Sequence, residues 1–146
     1  MVKKTKHGTT NYKRLLPFVK AAEEHDGAAV FRSEGYMDLH VEWVGYDEEN
    51  RKVYSMAHYG KQNGDLMADP DMTFAMAENE GIAIPRSFQN DYSPFQSYRY
   101  QEVFSTSEDG RLLYSPRLLK DLDEFLYSWL NNIDQQGFLK KGAEAV

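Results

Sequence analysis

Two histidines and several carboxylates gather in the middle of this chain. His40 lies between Asp38 and Glu42 at alternate positions, and His58 precedes an Asn63-Gly64 turn that Asp69 and Asp71 follow. Imidazole and carboxylate groups at this density suffice for a divalent metal site or for general acid–base work, provided that they converge on one face. On that reading His58, Asp69, Asp71 and His40 are the ligands. The plainer reading is a solvent-facing sheet surface on which His58 and Asp69 form a cross-strand ion pair contributing ~0.2–1 kcal/mol.

Aromatic residues form a second candidate. Tyr92, Phe95, Tyr98 and Tyr100, with Phe88, crowd a region between two prolines and an expected last strand. Tyrosine offers large amphipathic area at low entropy cost, so these rings suit a protein-binding or stacking surface. A long loop pinned to the sheet by its own aromatics is the competing account, and exposure of several rings in one patch separates the two.

The elements that position these residues follow from turn chemistry and periodicity. Asn63-Gly64 is the dipeptide of a tight hairpin, because both central residues need positive φ. With Gln62 opposite Asp65, Tyr59 faces Ala68, His58 faces Asp69 and Val53 faces Phe74. Val53, Ala57, Tyr59, Leu66, Ala68, Met72, Phe74 and Met76 then read as the core face, and Tyr54, Met56, His58, Met67, Asp69 and Asp71 as the exposed one. Pro70 interrupts the second strand, and a bulge there would slip the register by one.

Elsewhere, Asn11 is expected to cap a first helix with Leu15, Leu16, Phe18, Val19 and Ala22 on one stripe, Pro17 fitting awkwardly, and an end at His25-Asp26-Gly27. Met37, Leu39, Val41 and Trp43 alternate with polar residues as a half-buried strand does. Asp47 to Asn50 reads as a hairpin loop. A long loop with Pro85, Asn90 and Pro94 is expected before a strand from Tyr98 to Phe104, then a turn at Ser107 to Gly110. Ser115 caps a final helix with Pro116 in its first turn. Its apolar face is Leu118, Leu119, Leu122, Phe125, Leu126, Trp129, Leu130 and Ile133, and it ends before Gly137.

Together these give an α+β fold: an antiparallel sheet of about four strands with the N- and C-terminal helices on one face. The other face needs polar groups, the 85–97 loop or a second subunit, as in a homodimer, to cover it. At 146 residues the chain reads as one domain over 11–138, with a disordered basic arm at 1–10 and a frayed tail at 139–146. Residues 1–14 carry Lys3, Lys4, Lys6, Lys13 and Arg14 and no acid, leaving 12 basic against 23 acidic side chains in the remainder. The arm could touch nucleic acid, but an acidic body repels phosphates and favours a basic partner. The chain has no cysteine, which excludes disulfides, thiolate catalysis and cysteine zinc sites. No run is long and apolar enough for a membrane span or a signal peptide, so a cytoplasmic protein without membrane contact is expected.

YMDLHVE, SMAHYGKQNGDLMADPDMTF, RYQEVF and SWLNNIDQQGF together resemble a bacterial domain family of unknown function carried by phages, plasmids and conjugative elements, especially in Gram-positive hosts. The likeness spans about residues 11–138, and NGDLM-x-DPDM is its most specific block. It implies a mobile-element accessory protein, and carries over no catalytic residue.

Catalytic patterns fail position by position. Taking Asn63 as the first position of a calcium loop puts Ala68 where the turn glycine belongs and Phe74 where the bidentate glutamate belongs. Pro70-Asp71 with Glu78-Asn79-Glu80 is similar to a restriction-type nuclease core but lacks its lysine. There is no H-E-x-x-H, phosphate loop or G-x-S-x-G. The expectation is a non-enzymatic accessory protein without cofactor that binds a host or element-encoded protein. A metal-dependent hydrolase or nuclease on the His/Asp face is the alternative.

Overall fold

The computed structural model describes residues 4–146. Helix α1 spans Gly8–Glu24 and α2 spans Pro116–Gln136. The strands are β1 (Ala28–Phe31), β2 (Leu39–Tyr46), β3 (Lys52–Gln62), β4 (Asp65–Ala77), β5 (Ile82–Gln89), β6 (Tyr100–Glu102), β7 (Phe104–Thr106), β8 (Leu112–Tyr114) and β9 (Ala143–Ala145). Seven of them form one antiparallel sheet in the order β6-β5-β4-β3-β2-β1-β9, and β7 and β8 form a separate hairpin.

The fold is α+β, but the sheet has seven strands where about four were expected. β5 lies inside the stretch read as loop. Pro85 occupies it at a break in the β4 pairing, where Phe74 pairs with Pro85 and Thr73 with Ser87, so the extra residue Arg86 absorbs the irregularity. β1 and β9 are too short for alternation to register. Residues 139–146, expected to fray, instead supply β9, which pairs with β1 from Ala29–Ala145 to Phe31–Ala143.

Both helices pack on one face of the sheet, here called the inner face. Tyr54 on β3 donates its phenol to Glu23 of α1 at 3.0 Å, and His58, four residues along the same side, meets Trp129 of α2. Phe18 of α1 stands edge-on to Phe31 of β1, and Phe125 of α2 edge-on to Phe88 of β5. Leu15, Leu126, Leu39, Met56, Met72 and Phe74 fill the space between and are fully buried. Burying each such side chain contributes about 1.5–3 kcal/mol.

The helix ends obey local chemistry, with one correction. Ser115 accepts from the Leu118 amide, Pro116 opens α2, and Gly137 closes it in the left-handed region at φ 81°. α1 begins at Gly8, three residues before the expected cap Asn11, which lies buried within it and donates to the Asp123 carbonyl. The α1 entrance is held from outside. The buried carboxylate of Asp123 accepts from Thr5 Oγ1 at 2.5 Å and from the His7 amide at 2.9 Å, and the His7 ring stacks on Tyr127. The basic segment expected to be a disordered arm through residue 10 is therefore fastened to α2 at Thr5 and His7; its first three residues, including Lys3, lie outside the described residues. Among the described residues no helix is long and apolar enough to cross a membrane.

Candidate functional site on the outer face of the sheet

The hairpin behaves as its turn dictates only as far as Pro70. Asn63 and Gly64 take positive φ, and the pairs run from Gln62–Asp65 to Tyr59–Ala68 as expected. Between Ala57 and Tyr59 the register shifts, so Ala57 pairs with Asp71, Tyr54 with Phe74 and Val53 with Ala75. Asp69 and Pro70 share the place opposite His58, where Pro70 has no N–H to give to the ladder. The slip reverses the expected face of β3: Tyr54, Met56 and His58 share the inner face with Met72, Phe74 and Met76, while Val53, Ala57 and Tyr59 lie on the outer one. Val53 to His58 are all buried, so alternation on this central strand does not betray its orientation.

His58 is consequently part of the inner layer. Its ring stands 5.7 Å from Trp129 and 5.6 Å from Phe138, and Nδ1 lies 3.1 Å from the Asp38 carbonyl. Burial lowers its pKa below the ordinary imidazole value, against the backbone groups of Asp38 and Met37 and the charge of Asp69, which raise it. The neutral ring donates through Nδ1 to that carbonyl. Asp71 is on the opposite side of the sheet, accepting from Ser55 Oγ at 2.7 Å and from the Tyr59 phenol at 3.4 Å. His40 is also outer, edge-on to Tyr59 at 5.5 Å. His58, Asp69, Asp71 and His40 are thus split between the two faces, and no group of three or more His, Asp or Glu among the described residues could hold a metal. Nor do His58 and Asp69 form an ion pair among those residues.

The outer face carries two continuous rows across five strands. One runs His40, Ala57, Asp71, Gln89, Tyr100, and the next Glu42, Ser55, Thr73, Ser87, Glu102. Small residues occupy the middle and larger ones the flanks, with hollows of about 140 Å³ beside Ser55 and Tyr59 and about 230 Å³ beside Thr73 and Tyr100. Hydroxyls bond within and between the rows: Thr73 and Ser87 share a 2.5 Å hydrogen bond along the second row, and the Tyr100 phenol donates across to Glu102 at 2.5 Å. Tyr59 and Tyr100 have pKa values pushed up to about 12, by burial first and then by Asp71 and Glu102 respectively, so both remain protonated donors.

Of the predicted aromatic set, Tyr100 lies on this face. Tyr92, Phe95, Tyr98 and Tyr100 are all exposed, with Phe95 the most at 64%. Phe95 and Tyr98 stand perpendicular at 6.0 Å, and Tyr100 leads β6 into the first row. The Tyr92 hydroxyl lies beside Gly60, 2.4 Å from where a Cβ would be. Ser55, Tyr59, Thr73, Ser87 and Glu102 escape the sequence reading. Their signal, polar residues at every second position of Ser87 to Gln89 and Tyr100 to Glu102, is three residues long and sits in segments with prolines or turns.

The family described as a domain of unknown function, DUF6908, matches residues 10–139. The chain belongs to that family. The match takes in α2, α1 from its third residue and every strand except β9, so the two rows and the aromatic segment all lie within the DUF6908 domain. No curated protein and no solved structure matches the chain.

Proposed function

We propose that this chain is a non-enzymatic accessory protein of a mobile genetic element, such as a phage or plasmid, which binds a host or element-encoded protein in the cytoplasm. The observation that carries the reading is the exposure of Tyr92, Phe95, Tyr98 and Tyr100 within one segment, whose last ring, Tyr100, lies on the sheet face that neither helix covers. Solvent-exposed aromatics gathered in one segment are characteristic of protein-binding surfaces, where they supply most of the affinity. The acidic excess of the body disfavours nucleic acid as the ligand. The mobile-element role rests on the resemblance of the NGDLM-x-DPDM region. The metal-dependent hydrolase reading loses its geometric basis, since its ligands do not converge.

The test is affinity capture from cells carrying the element, with wild type and a Phe95→Ser/Tyr98→Ser variant of equal melting temperature. A partner retained by wild type and reduced about tenfold or more by the variant supports the reading. Equal capture by both contradicts it.

A further inference from the structure

A basic hollow lies at the helices. Where the segment before α1 is fastened to α2, a space of about 290 Å³ opens between Lys4, Lys6, Tyr114, Pro116, Leu119 and Lys120. None of these residues belongs to the two rows of the outer face. Leu119 is buried and the other five are exposed. The apolar lining continues along β8, where Leu112, Leu113 and Tyr114 are consecutive and all exposed, a run that folding alone does not call for.

The lysines are held in place and are not neutralised. Thr5 and His7 bind Asp123, which fixes Lys4 and Lys6 beside Lys120. Among the described residues Lys4, Lys6, Arg117 and Lys120 form no ion pair, although 23 of the chain's side chains are acidic. Asp123 is buried and already accepts from two donors. Asp121 and Glu124 follow Arg117 and Lys120 by four residues, the base-first order in which helical pairs are weaker.

Charge and size select the occupant. Three ammonium groups around one hollow repel one another until an anion arrives. A long polyanion or an anionic bilayer would also run over the acidic remainder, beginning with Glu108 and Asp109 in the turn between β7 and β8. A phosphodiester chain would leave the leucines of β8 unburied. The volume is below the ~300–1,000 Å³ of small-molecule sites and suits a single anchoring side chain. We infer that the hollow receives an acidic segment of a second protein, one large apolar side chain seated on Leu119, Pro116 and Tyr114 and its flanking carboxylates on Lys4, Lys6 and Lys120. This ligand is separate from the partner of the aromatic segment.

Fluorescence anisotropy with the full chain tests this. The probes are a labelled peptide with one leucine between two pairs of glutamates, a counterpart with serine for the leucine, a counterpart with glutamines for the glutamates, and a single-stranded oligonucleotide. Vesicles of anionic phospholipid are tested by co-sedimentation. The leucine–glutamate peptide should bind about tenfold more tightly than either counterpart, and salt should weaken it. Lys6→Gln and Lys120→Gln, at exposed positions, should each weaken it several-fold at unchanged melting temperature. The Phe95→Ser/Tyr98→Ser variant should bind it as wild type does. Tighter binding of the oligonucleotide or the vesicles overturns the inference, as does indifference to both lysines or equal binding of the serine peptide. No binding at about 1 mM peptide does so too. Loss of binding in the Phe95→Ser/Tyr98→Ser variant would move the peptide to the aromatic segment, and the basic hollow would fail while the protein-binding reading survived.

Discussion

His58 and Trp129 meet edge to face at 5.7 Å, joining the middle of the sheet to the last helix. The contact sets aside a histidine that the sequence offers as a ligand and makes it a packing residue. Because burial depresses its pKa, the folded state binds the proton less readily than the unfolded chain. Its stabilising contribution is therefore complete above the unfolded value of about 6.5 and is lost as pH falls from there toward the lowered folded value. Urea midpoints followed by tryptophan fluorescence should decline as pH falls below about 6.5. The decline should be shallower in His58→Gln; an identical profile in that variant would contradict the assignment.

The same geometry makes a statement about metals. His58 and Asp71 lie on opposite faces, so Zn²⁺ or Mn²⁺ should leave the melting temperature of wild type unchanged. A rise that His58→Ala abolishes would restore the metal reading.

Asp123 ties the entrance of α1 to α2 through Thr5 and the His7 amide. Asp123→Ala strands these two donors, while the Asn11 bond to the Asp123 main-chain carbonyl survives, and should cost about 1–3 kcal/mol in urea denaturation. Asp123→Asn, which keeps one acceptor oxygen, should cost less. Equal and negligible losses would mean that the latch is idle.

A Cβ added at Gly60 would lie 2.4 Å from the Tyr92 hydroxyl. Gly60→Ala forces the Tyr92 hydroxyl, the far end of an exposed side chain, aside and should cost about 1 kcal/mol, the low end of an over-packing penalty. Adding Tyr92→Ala should remove most of that cost, a coupling that a double-mutant cycle reads directly. Additive losses would show that the two residues act independently.

What the sequence reveals depends on how many faces of an element are buried. α2 is legible from Ser115 to Gly137 because one stripe is apolar and the rest polar, and its cap, first-turn proline and closing glycine agree. The Asn63-Gly64 turn is equally legible, since few residues take positive φ at both positions. β3 is not, because six consecutive buried residues erase the alternation, and the slip at Asp69-Pro70 turns every inference about its faces over by one residue. The short strands hide for another reason. β1, β6 and β9 are three or four residues long and owe their conformation to neighbours distant in the chain. The exposed aromatics were visible as composition. The polar rows, which include Tyr100, arise from cross-strand register, which local sequence does not encode.

The central claim is that the face without helices is where this protein meets its partner. Amide hydrogen exchange with and without the captured partner tests it most directly. Binding should slow exchange in the segment from Tyr92 to Glu102 and along the outer strands, leaving α1 and α2 unchanged. Protection confined to the two helices, with none between Tyr92 and Glu102, would contradict the account.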